Sequence, residues 1–205
     1  MLRAGIEVLS QNEEGFFVML EGGYIDMVSH DNDTAATLNE PLDFEKAIQV
    51  ALEFYRQNPE DTLSIVTADH ETGNIGLGHN SSNVRWEVIE AINVSFAEVI
   101  QPYFEAQDFD SFFNAIETHW NITLREIDKE NILLRVQDFD LIGLVEDMGL
   151  SPEEIAQLPD MESMRHMIVL AGYAAAPVLF PETKITWGSQ AYTAARVPLA
   201  VVGTW

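Results

Sequence analysis

Two apolar runs separated by one long amphipathic stretch constrain this chain more than any other feature. "GFFVML" at residues 15–20 is apolar at consecutive positions behind a glycine, and "TLSIVTADH" at 62–70 repeats the pattern. Runs of this kind fit strands covered on both faces, whereas strict alternation fits strands wet on one side. Between them, "PLDFEKAIQVALEFYRQNPED" at 41–61 places Phe44, Ile48, Ala51, Leu52 and Tyr55 at the 3–4 spacing of one sheltered helix face. Asn58-Pro59 ends that helix, because a proline pushes the residue before it out of the helical region. Strand, helix and strand in this order predict a βαβ unit in a parallel sheet. A third strand, "RVPLAVVG" at 196–203, is expected to join the same sheet, and residues 3–13 read as a short amphipathic helix.

The middle of the chain has a different rhythm. Helices are predicted at about 82–103, 108–119, 125–137 and 161–174, with Asp108 and Ser151 as N-caps. "SPEE" at 151–154 has capping-box spacing with Pro152 in the first helical position. Trp86, Trp120 and the Phe and Met positions of this block read as core, and His119 and His166 as packing or surface residues. The expected organisation is an α/β unit made of residues 1–80 and 186–205, interrupted by a helical insertion at 81–185.

Composition limits the chemistry available. There is no cysteine, so any transition-metal site must be built from His, Asp and Glu. The 34 acidic residues against 10 basic ones give a formal charge of −24, a surface that repels nucleic acid and anionic lipid. Such a charge suits either a salt-loving source or simply an acidic protein. No apolar run approaches the ~20 residues of a membrane span, and the first residues do not read as a secretory signal. The sequence opens as a helix already under way at residue 2, which suggests a piece of something longer.

Each predicted strand of the βαβ unit runs into residues that bind cations. "EGGYIDMVSH" at 21–30 offers Glu21, Asp26 and His30, and the second run ends in Asp69-His70. If the segment after the two glycines is helical, Asp26 and His30 share one face, being four residues apart. Parallel strands on either side of a helix end at the same sheet edge, where open α/β sheets place their ligands. Each residue also has an ordinary alternative as a turn or capping group. His79, after "GNIGLG", could face the mouth of such a site.

Taken together, "LEGGYIDMVSH" and "VTADHETG" resemble the metal core of the alkaline phosphatase family, in order and in spacing. The likeness is close over residues 3–78, resumes at "TWGSQAYTAARVPLAVVG" (186–203), and is looser between; it favours the phosphatase branch over sulfatases and phosphomutases. It implies an α/β parallel-sheet sandwich, present in part, with a helical insertion. It implies magnesium at Glu21, a first zinc at Asp26 and His30, and a second zinc at Asp69 and His70. It further implies hydrolysis of phosphate monoesters by a serine nucleophile flanked by two zincs, and a periplasmic or extracellular location.

Two departures from the family pattern stand out. Where the family has its last zinc-ligand His, this chain has Tyr192, whose phenol with a pKa of ~10 is a poor ligand; the first zinc site is expected to be weak or empty. The serine motif has no counterpart: the one Asp-Ser pair, Asp110-Ser111, falls in a helix pattern, so Ser111 reads as a helix-start residue. The expected function is therefore a carboxyl-terminal portion of a phosphatase, holding part of its zinc and magnesium site and inactive alone. The alternative is a non-catalytic acidic remnant that binds or self-assembles. Unpaired strand edges lead to an expectation of homo-oligomers under either reading.

Overall fold

The computed structural model describes residues 1–78, 83–137 and 170–203. The N-terminal part is a layer of three helices, α1 (Leu2–Leu9), α2 (Gly23–His30) and α3 (Thr34–Gln57). Three strands follow: β1 (Leu63–Thr67), β2 (Glu71–Thr72) and β3 (Gly76–Leu77). The helical block then gives α4 (Trp86–Glu90), a π-helical turn at Phe96–Ile100, α5 (Gln101–Glu105), α6 (Phe109–Trp120), α7 (Glu126–Gln137) and α8 (Leu170–Thr183). The chain closes with β4 (Ile185–Thr186), β5 (Tyr192–Thr193) and β6 (Leu199–Gly203).

α3 is longer than the pattern predicts. It starts at Thr34 because Asp33 caps it, accepting a hydrogen bond from the Ala36 N–H at 3.0 Å. Pro41, expected near the helix start, lies inside the helix; having no N–H, it cannot close the bond to the carbonyl four residues back. The C-terminus falls where expected, with Asn58 as C-cap. Phe44, Ile48, Ala51, Leu52 and Tyr55 do share the sheltered face, though each is only half-buried.

The strand predictions need correction. Residues 15–20 form no strand; Phe17 and Met19 are 87% and 79% exposed, and Phe16 makes an edge-to-face contact with Phe54 at 5.7 Å. Apolar side chains alone do not make a strand, because the backbone needs a ladder partner, and none pairs with this segment among the described residues. The βαβ unit therefore lacks its first strand. Among the described residues the strands form three two-stranded antiparallel pairs, β1–β6, β2–β5 and β3–β4, with no parallel ladder. β6 does pair with β1, but antiparallel, with Ile65 opposite Val201. β1 alternates exposed and half-buried residues rather than being covered on both faces.

The main apolar core lies among the helices. Phe96, Ile100, Phe112, Ile116, Trp120 and Ile132 are buried there. Phe112 sits 5.2 Å from both Phe104 and Phe113, and Phe96 sits 5.7 Å from Trp120, ring to ring. Such offset and edge contacts add to the burial of the rings. The predicted helices at 108–119 and 125–137 are present as α6 and α7, and Asp108 caps α6 by accepting from the Ser111 N–H. The segment expected as one helix at 82–103 is broken between Glu90 and Phe96. Trp86, expected in the core, is exposed. Ser151, the "SPEE" cap, His79 and His166 lie outside the described residues, as does most of the predicted helix at 161–174.

Candidate metal centre

α2 sets the first pair of candidate ligands. Its i, i+4 geometry brings the Asp26 Oδ2 to 3.4 Å from His30 Nε2. The second pair comes from the turn after β1, where the Asp69 Oδ2 lies 3.5 Å from His70 Nε2. The two pairs meet: His70 Nδ1 is 4.0 Å from Asp26 Oδ1. Four of the five predicted ligands thus share one locality, although the parallel sheet invoked to bring them there is missing. The convergence is achieved instead by β2–β5 and the loop before β5, which tie α2 to the C-terminal strands.

Glu21 does not join them. It is exposed, just before the α2 N-cap Gly22, and no hydrogen bond or ion pair connects it to the other four. Among the described residues, no three His, Asp or Glu side chains converge as a closed ion site.

The hydrogen bonding fixes which nitrogen of His30 is held by the backbone. His30 Nδ1 contacts the Gln190 backbone carbonyl, which can only accept, so Nδ1 is the protonated nitrogen. His30 Nε2 is left as the nitrogen free to face a cation; it is buried and has no hydrogen-bond partner. An imidazole held by a carbonyl through one nitrogen, with the other orphaned beside a carboxylate, is the donor arrangement a divalent cation accepts. Residues Asp26 and His30 thus fit a cation in their chemistry.

One participant escaped the sequence reading. The Thr72 hydroxyl donates to Asp26 Oδ1 at 2.6 Å and lies 3.2 Å from His70 Nδ1. It couples the two pairs: its proton goes to Asp26, and its lone pair can accept from His70 Nδ1–H.

Asn32 and Gly73 hold the surrounding loop. Asn32, buried with φ 53°, donates through Nδ2 to the Ser29 carbonyl at 3.0 Å and the Ser189 carbonyl at 2.9 Å. Asparagine tolerates that left-handed backbone better than most residues. Gly73 has φ +83°, donates to the Ala191 carbonyl, and accepts from the Gly188 and Ser189 N–H groups. A Cβ there would come within 2.6 Å of the Trp187 ring, so glycine is required on two counts.

Tyr192, on β5 opposite Thr72, packs between the two imidazoles. Its ring centroid is 5.1 Å from that of His30 and 4.0 Å from that of His70. Partial burial, and then the Asp26 and Asp69 carboxylates, raise the phenol pKa above its ordinary value. The phenol therefore stays neutral where the family pattern has an imidazole. Ser111 lies in the first turn of α6 with its N–H on the capping Asp108, as a helix-start residue.

Sequence comparison matches the alkaline phosphatase family description to residues 1–119. Alkaline phosphatase 4 of Bacillus subtilis (strain 168) is 46% identical over 80 residues, covering 39% of this chain and 17% of its own length. An alkaline phosphatase of Schizosaccharomyces pombe is 26% identical over 208 residues, covering 99% of this chain and 35% of its own. The chain thus spans well under half the length of these curated relatives. The crystal structure of Thermus thermophilus alkaline phosphatase superposes with a TM-score of 0.73 at 23% identity, covering 100% of this chain and 42% of that one, which shows a shared α/β fold. With more than half of its residues matched by the family pattern, the chain belongs to the alkaline phosphatase family.

Proposed function

We propose that this chain contributes the cation-binding part of a zinc- and magnesium-dependent phosphate monoester hydrolase. The observation that carries this reading is the His30–Asp26 pair, with Nδ1 tied to the Gln190 carbonyl and Nε2 buried without a partner. Asp26 and His30 would hold a first zinc, Asp69 and His70 a second, and Glu21 magnesium. A cation bound there supplies positive charge against a phosphoryl oxygen.

The chain's own residues prepare that position. The Gln190 carbonyl holds the His30 ring through Nδ1 with Nε2 turned toward Asp26. Thr72 fixes the rotation of the Asp26 carboxylate and holds the His70 ring. Tyr192, neutral, packs against both rings without adding a charge. The serine nucleophile is not supplied by Ser111, so the 205 residues alone should not turn over a phosphate monoester. Residues 81–185 are an insertion into the α/β part in this reading, and the working location is periplasmic or extracellular. Among the described residues no helix is long and apolar enough to cross a membrane.

Calorimetric titration with zinc tests the proposal. Binding should be measurable in the unmodified chain and weakened at least tenfold in Asp26→Ala and in His30→Ala, with the helical circular dichroism unchanged. No zinc binding by the folded chain, or binding indifferent to both substitutions, would show the ligand assignment to be wrong.

A further inference from the structure

A cavity of about 1020 Å³ opens within the helical block, between α4, α7, α8 and the turn that joins α6 to α7. Local hydrogen bonds shape that turn. Asn121 ends α6 with φ 52°, Glu117 Oε1 accepts from the Leu124 N–H at 2.8 Å, and Asp128 Oδ2 accepts from the Arg125 N–H at 2.9 Å. Leu124 is thereby turned inward, 6% exposed, while the Arg125 side chain stays 74% exposed at the mouth. The described lining includes none of Asp26, His30, Asp69, His70, Thr72 or Tyr192, so this cavity is not the candidate metal centre.

The lining has two parts. Trp120, Leu124, Ile132 and Ala174 are buried and give it an apolar floor. Arg85, Arg125 and Arg135 reach the same space from the α4 N-cap, the α6–α7 turn and α7. They are three of the ten basic residues in a chain with 34 acidic ones, and the described lining holds two carboxylates, Glu87 and Asp128. Those carboxylates orient guanidinium groups. Glu87 Oε1 accepts from Arg85 Nε at 2.8 Å, and Asp128 accepts from Arg125 Nε at 2.9 Å and Nη2 at 2.7 Å. A guanidinium carries five N–H donors, so Arg125 retains Nη hydrogens beyond this pair. A local concentration of positive charge selects anions, and an apolar floor selects a ligand with a body to bury.

We propose that this cavity binds a small organic oxyanion: a carboxylate or phosphoryl head held by the arginines, on an aromatic or aliphatic body that rests on the floor of Trp120, Leu124 and Ile132. Guanidinium bonds to an oxyanion are charge-assisted and stronger than neutral ones, and covering the floor removes apolar surface from water. Other ligand classes meet only part of the lining. A bare inorganic anion leaves the floor wet, a neutral apolar molecule makes no use of the guanidinium groups, and an organic cation meets three like charges. The volume is close to the upper end of the range usual for small-molecule sites, about 300–1,000 Å³, so a single ring with its head group fits whole. The site lies on the helical block and stands independently of the cation reading above.

Calorimetric titration of the whole chain, with a chelator present, tests the site. The probes are phenylphosphonate and benzoate. Inorganic phosphate supplies the head without the body, and benzyl alcohol the body without the head. The expected result is that at least one of the two probes binds at least tenfold tighter than either control, with newly protected amides in residues 121–135 by hydrogen exchange; the tighter probe names the head group. Arg125→Gln and Asn131→Glu, both at exposed positions of the lining, should each weaken binding at least tenfold with urea unfolding unchanged. Lys46→Gln, which removes an exposed positive charge on α3, should leave binding intact. His30→Ala should also leave it intact, which separates this site from anion capture at the candidate metal centre. Absence of binding by both probes overturns the inference. So does binding that the controls match, that is indifferent to Arg125→Gln and Asn131→Glu, or that is lost in His30→Ala. Zinc titration is a separate measurement, and its failure would count against the metal assignment while leaving this result standing.

Discussion

Asp33 is the residue whose replacement says most about how the helical block is fastened to the rest. Its carboxylate is buried, accepting from the Ala36 N–H through Oδ1 at 3.0 Å and from the Phe96 N–H through Oδ2 at 2.9 Å. It thus caps α3 and anchors the π-helical turn in one stroke. Asp33→Ala removes an N-cap worth about 1 kcal/mol and leaves the buried Phe96 N–H unsatisfied, at about 1–3 kcal/mol. The expected loss is about 2–4 kcal/mol, a large part of a typical domain's stability. Asp33→Asn keeps the oxygen facing Ala36 and sets an NH2 against the Phe96 N–H, so it should recover only the cap.

The pH dependence gives an independent check. Burial raises the Asp33 pKa above its ordinary value, outweighing the backbone hydrogen bonds that lower it. The folded state therefore holds the proton to higher pH than the unfolded state. The Asp33 contribution falls as pH rises from the unfolded value of about 3.9 through the raised folded value, and is flat above it. Urea unfolding of wild type, Asp33→Ala and Asp33→Asn, followed by circular dichroism, should show the wild-type advantage largest at the acid end of that window. Fluorescence of Trp120, which packs on Phe96, should follow the same transition. A loss below about 0.5 kcal/mol in Asp33→Ala, the range of an ordinary surface change, would refute the anchoring argument. An advantage that grows with pH would refute the burial argument.

Three further outcomes are expected. Phe112→Ala, at a fully buried position among Phe96, Phe104 and Phe113, should cost about 3–5 kcal/mol in urea unfolding, the usual range for a buried aromatic truncated to alanine; a much smaller cost would mean that the cluster is not the main core. Tyr192 should ionise above the ordinary phenol value in a 295 nm absorbance titration, so its contribution to stability declines as pH rises past about 10. Tyr192→His should tighten zinc binding at least tenfold; unchanged binding would show that this position does not face the ion.

Several parts of the fold were legible from local pattern because their causes are local. The stop of α3 at Asn58, the Asp108 cap and the helices at 108–119 and 125–137 follow from proline geometry, capping chemistry and 3.6-residue periodicity. The early start of α3 was less visible, since Pro41 looked like a first-turn residue. The strand at 15–20 failed for a different reason. Its apolar content was read correctly, but a strand exists only where another backbone meets it, and sequence pattern does not report whether that backbone is there.

The candidate centre divides along the same line. Which side chains have donor chemistry, and that Asp26 and His30 meet across one helical turn, are settled by residue type and spacing. That His70 comes to 4.0 Å of Asp26 was expected from a parallel sheet, and the fold delivers it by another route, through β2–β5 and the loop at 188–191. The Gln190 carbonyl on His30, the Thr72 bridge and the placement of Tyr192 between two imidazoles are contacts between residues more than 40 positions apart in most cases. The sequence by itself determined the candidate donor residues, the helices at 108–119 and 125–137, and the family. Only the tertiary structure decided the hold on His30 Nδ1, the strand direction and the arginine-lined cavity, because each depends on which distant backbone arrives alongside.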